Sequence, residues 1–292
     1  MEHRTVMTSL SESILYVVAT PIGNLRDISL RALDVLATVD MIAAEDTRTT
    51  GYLLTHYSIT RKMMVLHQHN ERVAAAKILA LLAAGKSVAL VTDAGTPGIS
   101  DPGAILINMV KEQNYKVVPV PGPSAVLCAL SAAGIDASHF FFYGFLSAKA
   151  GMRRRELEKL KLLPYTLVFY EAPHRILECV SNLAEVLGSH RQLTIARELT
   201  KLFETIYTCA LGDALKWLQT DPNQQKGEFV LLVSGAEIQH VTEIDEQTKD
   251  VLELLLEELS LKQAVKLATK ITGKNKKLLY GMALLLKAEK EL

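Results

Sequence analysis

The stretch that leaves this chain the fewest folding options is Val88-Ala89-Leu90-Val91, followed by Thr92-Asp93-Ala94-Gly95-Thr96-Pro97-Gly98-Ile99-Ser100-Asp101-Pro102-Gly103. Four consecutive apolar residues suit a strand buried on both faces, as in a parallel sheet. The loop after it places three Gly and two Pro in the nine residues from Gly95 to Gly103. Such a composition sets some φ angles, releases others past zero and lets backbone come close to a ligand. The spacing predicts a helix from Ser100 or Asp101, with Pro102 in its first turn and Ile105, Leu106, Met109 and Val110 on one face. At the carboxyl end of a strand in a doubly wound sheet, Asp93 would face a ligand crevice. An Asx turn closing an ordinary strand-to-helix connection is the structural alternative.

The same unit recurs. Residues 14–19 are continuously apolar and run into Thr20-Pro21-Ile22-Gly23-Asn24-Leu25, after which Asp27 or Ser29 can cap a helix carrying Leu30, Leu33, Leu36 and Val39. Residues 116–120 form a strand that Pro119 confines to an edge or a strand end, and it enters Pro121-Gly122-Pro123-Ser124-Ala125 before a small-residue helix. Small residues at a helix start open its N–H groups to a ligand. Three such turns at three strand ends point to one shared pocket. Strands alternating with helices give the βα rhythm of a parallel sheet.

Polar clusters fall at these ends. A short strand over 40–44 delivers Glu45-Asp46-Thr47-Arg48. They are helix-start charges with Thr47 or Thr49 as cap, or polar groups beside a substrate, with Arg48 offering its fork to a phosphate. His67 and His69 follow a strand over 63–66 and share a side suited to a metal, but no third ligand is nearby, so no metal site is expected; Asn70 suits a helix cap. Residues 147–163 carry Lys149, Arg153, Arg154, Arg155, Lys159 and Lys161 against Glu156 and Glu158. That run is a solvated helix face or, at a helix start, a seat for phosphates. The strand over 165–170 ends in Glu171-Ala172-Pro173-His174-Arg175, placing further polar candidates at a cleft or merely capping a helix. Residues 193–196 and 205–208 suit an antiparallel pair flanking Arg197-Glu198-Leu199-Thr200-Lys201.

Composition excludes several classes. At 292 residues the chain suggests two or three domains. Its 32 basic and 32 acidic residues cancel, so any grip on nucleic acid must be local. Cys128, Cys179 and Cys209 are far apart and odd in number, which suggests neither a disulfide framework nor a zinc site and fits a reducing cytoplasm. No apolar run approaches a membrane span, and residues 1–13 lack a signal-peptide core and read as a disordered tail. From Glu237 to Ser260 there are eight acids against Lys249, whereas residues 261–292 hold eight Lys against Glu289 and Glu291. Three short helices, with Gly273 before the last, resemble a helix-turn-helix unit whose Lys274, Lys276 and Lys277 suit a nucleic-acid backbone; a solvated cap is the alternative.

The order TPIGNL, EDTR, DAGTPGISDPG, PGPSA, FYEAPHR, ARELTK and GEFVLLV resembles the ribosomal RNA small subunit methyltransferase I family, within the tetrapyrrole methylase superfamily. The resemblance implies a two-lobed α/β fold, with a mostly parallel sheet in the N-lobe, a mixed sheet in the C-lobe and a small C-terminal helical domain. The lobes would span 14–136 and 137–236, and the helical part 237–292. It implies S-adenosyl-L-methionine as donor, 2′-O-methylation of a cytidine in the decoding region of 16S ribosomal RNA, and commonly a homodimer. The implied donor pocket comprises Pro21, Asp93, Ala94, Gly95, Thr96, Pro97, Gly98, Ser124, Ala125 and Tyr170, with Glu171 beside it. Position at strand ends makes Glu45, Asp46 and Glu171 candidate bases, with His174 behind them, and Arg48, Arg153, Arg154, Arg175 and Arg197 candidate holders of RNA phosphates. The chain has Thr20-Pro21-Ile22-Gly23 where small-molecule tetrapyrrole methylases usually have a GxGPG loop, and it lacks a dinucleotide GxGxxG. A methylase of a tetrapyrrole or protein side chain, and a non-catalytic RNA-binding module, are the competing readings.

Overall fold

A computed structural model describes residues 13–135, 137–236 and 246–290, with side chains to 287. The tail expected over 1–13 lies, apart from Ser13, outside the described residues. The chain divides into two compact units, 1–236 and 237–292.

In the first unit the continuous apolar runs become strands: β1 (Ile14–Val18), β2 (Met41–Ala44), β3 (Met63–Val65), β4 (Val88–Val91) and β5 (Lys116–Val120). They form one sheet in the order β3-β2-β4-β1-β5, every pair parallel. Both faces are covered. Ile14, Tyr16 and Val18 pack with α1 (Leu30–Thr38) and α2 (Thr47–His56), while Leu15, Val88 and Leu90 pack with α3 (Glu71–Ala83) and α4 (Ala104–Glu112). Alternate side chains enter opposite cores, which is why no polar residue interrupts the runs. β5 lies at the edge, where Pro119 leaves no central ladder bond unmade.

A second sheet holds β6 (Phe140–Phe145), β7 (Thr166–Glu171), β8 (Gln192–Arg197), β9 (Thr205–Ala210) and β10 (Phe229–Val233), in the order β6-β7-β10-β8-β9. Only β6 and β7 run parallel, so the sheet is mixed. One face is covered by α6 (Ala150–Leu160), α7 (Ile176–Leu187) and α8 (Leu211–Thr220). The amphipathic α7, with Cys179, Val180, Leu183 and Leu187 buried, follows the Pro173–Arg175 turn, where the sequence allowed a helix start without fixing its extent. Against the other face packs α5 (Ala125–Ala132), the helix that follows the first sheet's edge strand. Its Val126, Ala129 and Leu130 meet Val168, Ala196, Val230 and Leu232, joining the two lobes through one apolar layer.

The second unit consists of α9 (Glu246–Glu258), α10 (Leu261–Thr272) and α11 (Lys276–Lys290), around Leu252, Val265, Ala268, Leu279, Ala283 and Leu286. No helix among the described residues is long and apolar enough to cross a membrane.

Two local expectations are corrected. The α2 cap is Asp46, whose carboxylate accepts from the Arg48 N–H, and not Thr47 or Thr49. The helix expected from Ser100 or Asp101 begins at Ala104, because Ser100 adopts a left-handed φ of 66° and the capping acceptor comes from another helix. Glu71 Oε1 accepts from the N–H groups of Gly103 at 2.9 Å, Ile105 at 2.9 Å and Leu106 at 3.1 Å. One buried carboxylate thus serves the positive end of α4 and fixes where the glycine-rich loop ends. Glu71→Ala leaves these donors buried without an acceptor and is expected to cost about 1–3 kcal/mol or more in urea unfolding, whereas Glu71→Gln retains an acceptor and costs less.

Candidate functional site

The turns at the ends of β1, β4 and β5 come together because their polar backbone groups bond one another. Thr20 N–H donates to Gly95 O at 2.9 Å and Gly95 N–H returns to Thr20 O at 3.0 Å. Thr20 Oγ1 donates to Thr92 O at 3.0 Å, and Thr96 Oγ1 to Pro123 O at 3.1 Å. The three bends form one edge.

Across that edge stands the second sheet, and between them lies a cavity of about 320 Å³. The first lobe contributes Ile22, Ala94, Gly95, Thr96, Ile99, Ser100 and Asp101; the α5 start contributes Ser124 and Ala125; the second lobe contributes Phe145, Tyr170, Glu171, Ala196, Leu199, Glu228 and Val230. Its size and largely apolar wall with a few polar groups match a small-molecule site. Of the sequence-predicted donor residues, Ala94, Gly95, Thr96, Ser124, Ala125 and Tyr170 are on this wall. Pro21, Asp93, Pro97 and Gly98 are not; Pro97 is buried in the loop, and Asp93 is exposed and turned toward Glu45 and Asp46.

Two close approaches hold the lobes at this spacing. A Cβ on Gly23 would lie 2.5 Å from Lys201 Cγ, 2.9 Å from Thr200 Oγ1 and 3.0 Å from Leu199 O, so the TPIGNL loop lies directly against the ARELTK loop. Asn24 N–H also donates to Thr200 Oγ1 at 3.1 Å. On the far side, Gly144 occupies a bulge in β6 at φ 84°, and a Cβ there would come within 2.8 Å of Ser100 Oγ.

Carboxylates gather at the first lobe's edge. Asp46 N–H donates to Asp93 Oδ1 at 3.1 Å, and Arg48 forks onto Asp46 with Nη2 at 2.6 Å from Oδ2. The Arg48 hydrogen bonds hold Asp46 down to about 2. Burial pushes Glu45 and Asp93 up from their ordinary values, and each also feels a neighbouring carboxylate. Asp101 is raised furthest among these, to about 6, first by burial and then by repulsion from Glu45 and Asp93. Tyr170, across the cavity, is pushed up to about 12 by burial and by Asp101. Asp101 carried only a capping role in the sequence reading; its place in a nine-residue Gly/Pro loop three positions beyond the DAGTPG segment was the available signal.

Other assignments change once packing is visible. Glu171 is not a free base: its side chain is 0% exposed, pairs with Arg175 Nε at 3.0 Å and accepts from Ala172 N–H at 2.8 Å. Arg175 is spent on that carboxylate and on Leu146 O, so it is not a holder of RNA phosphates. Arg153 is fully buried, donating to Asn182 Oδ1 at 2.8 Å and pairing with Glu178 at 2.8 Å, out of reach of any nucleic acid. Arg197 likewise donates to Lys226 O and Phe203 O at 3.0 Å and pins the β8–β9 turn. Arg154 and Arg48 are exposed, although each has a carboxylate partner, and His174 is exposed off the cavity wall. Among the described residues no group of three His, Cys, Asp or Glu is placed to hold a metal. In the helical unit Lys276 and Lys277 are exposed in the first turn of α11, where cations oppose the helix dipole unless an anion is present.

Removing Arg175 tests the buried pair. Arg175→Ala strands the Glu171 charge and is expected to cost about 3–5 kcal/mol in chemical denaturation, and adding Glu171→Gln restores most of it.

Comparison with known proteins bears on what this cleft serves. Residues 14–215 match the family model for tetrapyrrole (corrin/porphyrin) methylases, and residues 242–287 match the RsmI C-terminal HTH domain. The chain is 47% identical, over 94% of its length and 96% of the relative's, to the ribosomal RNA small subunit methyltransferase I of Escherichia coli O157:H7. It is 49% identical to the protein of the same name from Xylella fastidiosa, over 91% of this chain and 97% of that one. Among solved structures, uroporphyrin-III-C-methyltransferase from Thermus thermophilus superposes with a TM-score of 0.56 at 19% identity, covering 76% of this chain and 94% of that one, a likeness of fold. The parallel and mixed sheets flanking the cleft, the model match over most of the chain and the full-length relatives agree: the chain belongs to the tetrapyrrole methylase family, within it to the ribosomal RNA small subunit methyltransferase I group, and is a methyltransferase.

Proposed function

We propose that this protein transfers a methyl group from S-adenosyl-L-methionine to the ribose 2′-hydroxyl of a cytidine in the decoding region of 16S ribosomal RNA. The observation that carries the reading is the inter-lobe cavity, built from the loops that also carry the resemblance and present in a chain whose full-length relatives are named for small-subunit ribosomal RNA. Ala94, Gly95, Thr96, Ser124, Ala125 and Tyr170 are the residues proposed to hold the donor. The cavity fits such a group: its volume is in the range for small-molecule sites, and Ile22, Leu199, Phe145 and Val230 give an apolar wall. When bound, the donor supplies an activated methyl on a positively charged sulfur.

The chain's own contribution is alignment and exclusion of water. Holding donor and hydroxyl in line supplies on the order of 7–11 kcal/mol. The apolar wall favours a step in which charge disperses, because less hydration is lost than for the starting cation. The two glycine positions lie where the lobes approach each other beside the cavity. A ribose hydroxyl is a weak acid, and a proton acceptor beside it adds roughly 10²–10⁴ in rate.

The helical unit, 237–292 in this reading, supplies the RNA grip through Lys274, Lys276 and Lys277, with Arg48 and Arg154 at the catalytic unit's surface. Lobes over 14–136 and 137–236, cytoplasmic residence and a homodimeric state rest on the resemblance alone.

Incubating the protein with donor carrying a labelled methyl and with small subunits from cells lacking it should label one cytidine ribose in 16S ribosomal RNA. Label on a tetrapyrrole or a protein, or none, overturns the proposal. For Lys276→Ala with Lys277→Ala, the salt dependence of RNA binding should flatten by about 1.5 in log–log slope, since each phosphate contact contributes about 0.7–0.9.

A further inference from the structure

Three acidic residues line the cavity, Asp101, Glu171 and Glu228, the side chain of Glu171 being itself buried. Glu171 is held by Arg175, and Glu228 Oε2 takes the Lys201 ammonium at 2.8 Å. Among the described residues no hydrogen bond or ion pair engages the Asp101 carboxylate, although the residue is largely withdrawn from solvent. Its loop is firmly placed: Ser100 before it stands in a left-handed conformation against Gly144 of the second lobe, and Gly103 after it is tied to Glu71. A lone carboxylate on a rigid loop, facing a donor-sized cavity with no cation to neutralise it, has little structural purpose.

We infer that Asp101 is the proton acceptor for the hydroxyl that is methylated. The inference rests on the methyl-transfer reading. In the step, the hydroxyl oxygen forms its bond to the methyl carbon, the carbon–sulfur pair leaves with sulfur as a neutral thioether, and the hydroxyl proton passes to Asp101 and then to solvent. The facing groups support this. Glu45 and Asp93 approach from the ends of β2 and β4, Tyr170 from β7, and none is a cation; Arg48 and His67 act only at one remove, on Asp93 and Glu45. Burial and those two carboxylates raise Asp101 to about 6, which leaves it ionised near neutral pH yet basic enough to take a proton. Of the bases expected from sequence, Glu45 and Asp46 lie off the cavity wall, Asp46 is committed to Arg48, Glu171 is committed to Arg175, and His174 is exposed off the wall.

The test compares wild type, Asp101→Asn and Asp101→Glu in donor binding by calorimetry, in single-turnover methylation of small subunits across pH, and in thermal unfolding across pH. Asp101→Asn should keep donor affinity within about threefold, below the tenfold that 1.4 kcal/mol represents. Its methylation rate should fall by about 10²–10⁴, the range of general-base catalysis. Wild-type rate should climb as pH rises through about 6, Asp101→Glu should retain part of that limb, and Asp101→Asn should lose it. Because the folded-state pKa lies above the ordinary 3.8, ionisation destabilises the fold, so wild type should lose Tm relative to Asp101→Asn as pH rises from about 4 through about 6. A rate for Asp101→Asn within a few-fold of wild type, a surviving pH limb, or donor affinity falling in step with rate overturns the inference. Failure of the wild type itself to bind donor sinks the methyl-transfer reading as well, and the Tm comparison still reports on Asp101 by itself.

Discussion

The distance between the two lobes is set where side chains are missing. At Gly23 the first lobe's opening loop lies against the Leu199 carbonyl and the Thr200 hydroxyl, and at Gly144 a strand bulge lies against Ser100. These contacts flank the cavity. A side chain at Gly23 would press on the Leu199 carbonyl, and one at Gly144 would be strained by its left-handed backbone and displace the Ser100 hydroxyl; a cleft whose work is alignment is sensitive to such shifts. The apolar layer of α5 supplies cohesion between the lobes, since area burial is non-directional; the two close approaches supply registration.

A second constraint is electrostatic. The parallel sheet delivers Glu45 and Asp93 to one edge, and the loop after β4 brings Asp101 alongside. Among the described residues, only Asp46 at that edge gains a direct cation, Arg48. Uncompensated like charge in a partly buried place costs stability and persists where something else is gained. The contrast with Glu171 is instructive: more deeply buried, it is paired by Arg175 and its function is to hold a turn. Chemical type alone does not separate these two acids; their neighbours do.

Much of the fold was legible because its signals are local. Continuous apolar runs at 14–18, 88–91 and 229–233 became strands buried on both faces, Pro119 took an edge, and residues 193–196 and 205–208 paired antiparallel. The turns after β1, β4 and β5 were readable from Gly and Pro content, and they converged. What misled was charge. Arg153 and Arg197 looked like phosphate ligands because a guanidinium in a basic run or a turn usually faces water; here Asn182, Glu178 and backbone carbonyls satisfy them in the interior. The start of α4 was misplaced for a related reason, since its cap, Glu71, is more than thirty positions upstream.

The sequence by itself determined the strand-and-turn grammar and the Gly/Pro bends that meet at the cavity, because backbone preference and hydrophobic periodicity act over a few neighbours; the family was carried by the resemblance of its motifs. Tertiary structure alone decided which charges are spent and which are left over. Pairing of Glu171 with Arg175, of Arg153 with Glu178 and Asn182, and of Glu228 with Lys201 removes each from the list of free groups. Asp101 is left facing the cavity with no partner among the described residues. Its proton affinity follows from burial and from carboxylates distant in sequence, and such a field exists only once the chain has folded.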